Sequence, residues 1–103
     1  MALIIDTRSA LLQALLDGEG YGLELIERVK SRTNGAVDLL QGRVYPALRE
    51  LEAEGLLRSW EGEPIAERGG RPRRFYEITA LGRKAALRNR KAVIGLFEPL
   101  GVH

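Results

Sequence analysis

Apolar and polar positions alternate along this chain with two different periods, and the change of period marks out the architecture. Ala10, Leu11, Leu12, Ala14, Leu15 and Leu16 place apolar side chains three and four apart behind the capping residues Asp6-Thr7-Arg8-Ser9. That spacing predicts a first helix with one buried face, ended by Gly18 and Gly20. Tyr21 to Arg32 repeats the pattern through Leu25/Val29 and Leu23/Ile26, with Glu24, Glu27, Arg28 and Lys30 outside. Thr33-Asn34-Gly35 is a turn signal, and Ala36 to Leu39 has the composition of a very short strand. A third helix runs from about Gly42 to Glu54. Val44, Leu48 and Leu51 point to the core, while Tyr45, Arg49 and Glu52 share another stripe. Pro46 fits only near the helix start, where amides lack intrahelical partners. Gly55 is a natural stop.

Beyond Gly55 the period falls to two. Leu56–Glu61 and Arg73–Ile78, with Trp60, Phe75 and Tyr76, read as antiparallel strands. Thr79 can cap a final helix reaching about Phe97. Three helices, two strands around a protruding tip and one more helix define a mainly α fold with a small β-hairpin wing. This is a winged helix-turn-helix, with residues 1–79 as the DNA-binding part and residues 80–103 as a further helix and tail in one compact unit.

Composition narrows the chemistry. The 103 residues suffice for one small domain, and the absence of cysteine excludes disulfides and thiolate metal sites. The one histidine is terminal, so a hydrolytic triad finds no base inside the fold. Gly18-Glu19-Gly20-Tyr21-Gly22 follows no strand, so it is not a dinucleotide loop. Glu50, Glu52 and Glu54 are spaced as a solvated helix surface. We therefore expect no enzyme, metal or cofactor. No apolar run approaches the roughly 20 residues of a membrane span, and the start lacks a secretory pattern, so a cytoplasmic protein without a membrane partner is expected.

The formal net charge of +2 hides an asymmetry. Residues 1–66 carry 7 basic and 11 acidic side chains, whereas residues 67–103 carry 9 and 3. Segregation of this kind marks a polyanion-binding surface or a steered partner. Its sharpest element is the tip Gly69-Gly70-Arg71-Pro72-Arg73-Arg74. The glycines permit a tight reversal, and Arg71, Arg73 and Arg74 follow with no acid among them. Such a wing suits phosphates or a minor groove; taken alone, the loop reads rather as a solvated basic turn, and it is the helices ahead of it that reverse this reading.

In a winged helix the third helix enters the major groove. Gln41 and Arg43 stand at its start, where Arg43 can fork to a guanine edge or bridge phosphates. Tyr45 has a hydroxyl suited to a phosphate, or else packs as a half-buried ring. Arg49 either meets DNA or pairs with Glu50 or Glu52. The final helix carries Ala86/Val93 and Leu87/Ile94, each seven apart, with Phe97 extending the stripe. A second copy of the chain is the economical cover for it; folding back on the first helix is the alternative.

Five segments together resemble the PadR family of bacterial transcriptional regulators. They are Leu11 to Gly22 with Glu24-Leu25-Ile26, Gly42 to Leu48, Leu51 to Leu56, Gly69 to Tyr76 and Thr79 to Gly82. The resemblance implies a homodimeric repressor of double-stranded DNA. The shortness of the chain implies the subfamily with a single C-terminal dimerisation helix. This chain departs from the pattern at three positions. Leu40 replaces a common capping Ser or Thr, leaving Asp38 or water to satisfy the helix start. Arg43 replaces a frequent Ser or Thr, and Leu23 a frequent Tyr. Related repressors hold flat ligands against aromatic residues between subunits, but Trp60 is placed to pack on the hairpin or first helix. The sequence identifies no effector. The rival reading is a winged-helix module that binds a protein through the same basic surface.

Overall fold

The computed structural model describes residues 5–64, Gly69 and residues 72–97. Its elements are α1 (Thr7–Leu15), β1 (Gly20–Tyr21), α2 (Gly22–Arg32), α3 (Gln41–Ala53), β2 (Leu57–Pro64), β3 (Pro72–Ile78) and α4 (Ala80–Phe97). Three helices pack together, a three-stranded antiparallel sheet of order β1-β3-β2 covers one side, and α4 returns across α1. This is the winged helix-turn-helix that the periodicity predicts.

The starts of α1 and α4 and the end of α1 have identifiable causes. The Asp6 carboxylate accepts from the Arg8 amide at 3.4 Å, capping α1. At the other end of α1 the Arg32 guanidinium donates to the Gln13 carbonyl at 3.3 Å, and Arg28 takes the carbonyls that follow. The Arg28 guanidinium donates to the carbonyls of Ala14, Gly18 and Glu19 at 2.8–2.9 Å. Thr79 caps α4 as expected: its hydroxyl accepts from the Gly82 amide at 3.0 Å and donates to the Gly55 carbonyl at 2.7 Å. Pro46 sits well inside α3 rather than at its start. The helix gives up one bond, and the spare acceptor belongs to Gly42, an exposed residue where water can reach it.

Leu11, Leu25, Val44, Leu48 and Leu51 are fully buried where α1, α2 and α3 meet. Removing each such side chain from water is worth roughly 1.5–3 kcal/mol. Ala36–Leu39 is not a strand. It is an irregular connection that buries Val37 and Leu39, held by the Thr33 hydroxyl accepting from the Val37 amide at 3.0 Å. No neighbour is available to pair with it, because the third strand forms elsewhere. Gly20 and Tyr21 pair with Tyr76 and Phe75 on the free edge of β3.

Only Gly82 and Ala86 of α4 are buried, and both lie in its first two turns. The Gln13 side chain of α1 ties this part down, donating to the Ala86 carbonyl at 2.7 Å and accepting from Arg90 at 2.9 Å. Ala86 therefore faces its own chain and leaves no surface for a partner, which removes it from the expected assembly stripe. The apolar positions beyond it behave differently. Leu87, Val93, Ile94, Leu96 and Phe97 are 44–78% exposed.

Candidate nucleic-acid interface

The core face of α3 is Val44, Ala47, Leu48 and Leu51, so its opposite face is exposed by geometry. Leu40, Gln41, Gly42 and Arg43 form four consecutive exposed residues at its beginning. No side chain caps this helix. Asp38, expected there, instead lies 3.8 Å from Lys30. Gln41 and Arg43 thus stand where the sequence placed them, on an open helix start.

Tyr45 is half-buried rather than free. Its ring lies over the first residue of α2, so close that a Cβ on Gly22 would fall 2.5 Å from Cε1 and 2.9 Å from the hydroxyl. Only glycine lets the ring reach this seat. Gly22 falls within the second helix expected from the sequence, and its distance along the chain from Tyr45 carries no local signal of contact.

Arg49 is exposed, and neither expected acid pairs with it. Glu50 and Glu54 are both engaged by Arg8 of α1, at 3.0 and 2.5 Å. This pair holds the Glu54 carboxyl below the usual carboxylate range through the Arg8 hydrogen bond. Glu52 accepts from the Ser59 hydroxyl at 2.6 Å. The stripe of Tyr45, Arg49 and Glu52 lies toward Tyr76, whose phenol is pushed up first by burial and then by Glu52. Arg8 was missed in the sequence because the ion pair spans more than forty positions.

The wing arginines are not one cluster. Alternation along β3 sends Arg73 and Arg74 to opposite faces of the sheet. Arg74 lies on the α3 side, donating to Ser59 at 3.2 Å with Glu61 of the paired strand at 3.8 Å. The hairpin register supplies the acid that the linear sequence lacked. Ser59 thereby links Arg74 to Glu52, fastening the wing to α3. Arg73 lies on the outer face, its guanidinium 4.4 Å from the Tyr21 ring centre and its Nε buried without a partner. Arg71 lies outside the described residues.

The outer sheet face is aromatic. Phe75 packs edge-on to Tyr21 at 5.6 Å and stacks with Trp60 at 6.1 Å. Trp60 is thus part of the hairpin, as expected of it. Arg58 lies over its ring at 5.9 Å and pairs with Glu77. Between α1, the end of α2 and α4 runs a groove of about 870 Å³, its walls including Ala10, Val29, Val37, Ile94 and Phe97. Among the described residues no helix is long and apolar enough to cross a membrane.

A three-helix core with an open third helix and an attached hairpin is the framework of a winged-helix regulator. The chain belongs to the PadR-like family of transcriptional regulators, whose model matches residues 11–88. A transcriptional regulator from Clostridium thermocellum superposes with a TM-score of 0.70 at 26% identity, covering 89% of this chain and 92% of that one. A PadR family regulator from Clostridium difficile shares the fold with a TM-score of 0.70 at 20% identity, over 87% and 88% of the two chains. Bacillus subtilis PadR, in a structure with operator DNA, gives a TM-score of 0.68 at 18% identity over 93% of this chain and 48% of that one. The uncharacterized protein X of Lysinibacillus sphaericus is 28% identical over 75 residues, which is 73% of this chain and 66% of that relative.

Proposed function

We propose that this DNA-binding regulator is a cytoplasmic homodimeric repressor that places two copies of α3 on an inverted-repeat operator. The observation that carries the reading is the open start of α3, where exposed Gln41 and Arg43 meet no partner among the described residues. Gln41 and Arg43 would reach base edges, with Arg43 forking to a guanine. Tyr45, seated on Gly22, would offer its hydroxyl to a phosphate, and Arg49 would follow the backbone. Arg71 and Arg73 would meet the flanking groove. Arg74 would add charge there while its bonds to Ser59 and Glu61 set the wing. Residues 1–79 would form the DNA-binding part. The operator complex of Bacillus subtilis PadR supports the mode of binding through its shared fold.

Dimerisation would use the exposed stripe of Leu87, Val93, Ile94 and Phe97. A two-fold pair sets its two reading helices about one DNA turn, roughly 34 Å, apart. The test is selection of duplexes from random DNA, followed by titration of the recovered site at several salt concentrations. An inverted repeat whose log affinity falls with log salt at about 0.9 per phosphate contact is expected. Affinity indifferent to salt and to sequence would favour the protein-binding module instead.

A further inference from the structure

We propose that Leu40 is a specificity residue that packs on a thymine 5-methyl group, and that α3 forgoes its N-terminal cap to make this contact. The inference rests on the DNA-binding reading above. Leu40 is 64% exposed, more than any other large apolar side chain described outside α4. It does not border the groove beside α4, so the proposed assembly stripe does not account for it. It occupies the capping position of α3 with an extended backbone (φ −79°, ψ 127°), where a short oxygen-bearing side chain would accept from the next amides. Leucine supplies no acceptor there, so the position is costly twice: a helix start is left uncapped and an apolar side chain is left in water.

Chemistry selects the partner. Leu40 precedes Gln41, Gly42 and Arg43, all exposed, and nothing lies within 4 Å of the space a Gly42 Cβ would fill. In the proposed complex this opening segment enters the major groove. The one apolar group on that groove's floor is the thymine methyl. Against phosphate a leucine would only strip water from a charge, whereas against a methyl it regains the apolar burial that its own chain denies it.

The test uses the duplex recovered by selection and copies in which single thymines are replaced by deoxyuridine, which deletes only the methyl. For the wild type, one uridine position in each half-site should weaken binding about fourfold, the value of one buried methyl. Leu40→Ser removes the contact from both half-sites, so it should weaken binding to the thymine duplex by about the square of that factor, roughly sixteenfold, and show no further loss on the uridine duplex. The same substitution installs a capping hydroxyl, so its melting temperature should rise. Stability and affinity moving in opposite directions is an outcome that a purely structural leucine would not produce. Equal uridine sensitivity in wild type and Leu40→Ser would overturn the proposal while leaving the DNA reading intact, as would a selected half-site without thymine. Failure of the wild type to select any duplex would overturn the DNA reading, and this inference with it.

Discussion

α3 and α4 are both amphipathic helices with apolar side chains at helical spacing, yet they solve opposite problems. In α3 the stripe of Val44, Ala47, Leu48 and Leu51 is at most 6% exposed, sealed by α1 and α2. In α4 the pattern splits after Ala86: Gly82 and Ala86 are buried in their own chain, and Leu87 through Phe97 is left 44–78% exposed at its large apolar positions. The same pattern therefore means a self-sufficient core in one helix and an unfinished surface in the other. Hydrophobic spacing says that a face wants cover, and it does not say whose atoms supply it.

The largest expected effect tests the finished side. Leu48→Ala removes a fully buried side chain and should cost about 2–5 kcal/mol in urea unfolding, a large share of a small domain's stability. A loss under about 1 kcal/mol would mean that the α1–α3 contact relaxes freely.

The unfinished side should respond in another currency. Leu87→Asp with Ile94→Asp should leave the helical circular dichroism of the winged core nearly unchanged but convert a dimer to monomer in sedimentation. Each exposed apolar side chain brought into a two-fold interface counts twice, at roughly 1.5–3 kcal/mol apiece when fully covered. Tight operator binding should disappear with the dimer, although every DNA-facing residue is intact. A wild type that sediments as a monomer at micromolar concentration would refute the assembly.

Gly22→Ala probes the joint between α2 and the reading helix. The added methyl collides with the Tyr45 ring, so about 1–3 kcal/mol of overpacking strain is expected. The paired variant Gly22→Ala with Tyr45→Ala should recover most of that stability but not the affinity. Additive losses in the double variant would show that the two residues do not press on each other.

The smallest effect concerns pH. Arg8 holds the Glu54 carboxyl below its ordinary value, so the pair stabilises the fold fully above the usual carboxylate range, near 4.3, and loses that contribution as pH falls through the lowered value. Arg8→Met should flatten the acid limb of a stability–pH curve at and below the usual carboxylate range. Superimposable acid limbs for the two proteins would deny the pair any role.

Much of this was legible in residue order. Thr79 announced its helix because capping needs only a hydroxyl three residues ahead of an amide, a local relation. The third helix was placed by the heptad of Val44 and Leu51 with Gly55 behind it. Gln41 and Arg43 were read as exposed because the core face of α3 leaves them no alternative. The strand expected at Ala36–Leu39 failed because alternation is equally satisfied by a connection that buries Val37 and Leu39 against helices. The real third strand, Gly20–Tyr21, is two residues long and follows from an open edge on β3, which no local pattern encodes.

By itself the sequence determined the helices, the hairpin, the winged-helix order and the faces of α3, since each depends on contacts within a few residues. Tertiary structure alone decided which charges remain available. Register across the hairpin set Glu61 beside Arg74, strand alternation parted Arg73 from Arg74, and packing of α1 on α3 gave Glu50 and Glu54 to Arg8. It also decided that Ala86 belongs inside and Leu87 outside. These outcomes hinge on where distant segments meet in space, and a Coulomb or apolar contact of a few ångströms is indifferent to how many residues separate its partners along the chain.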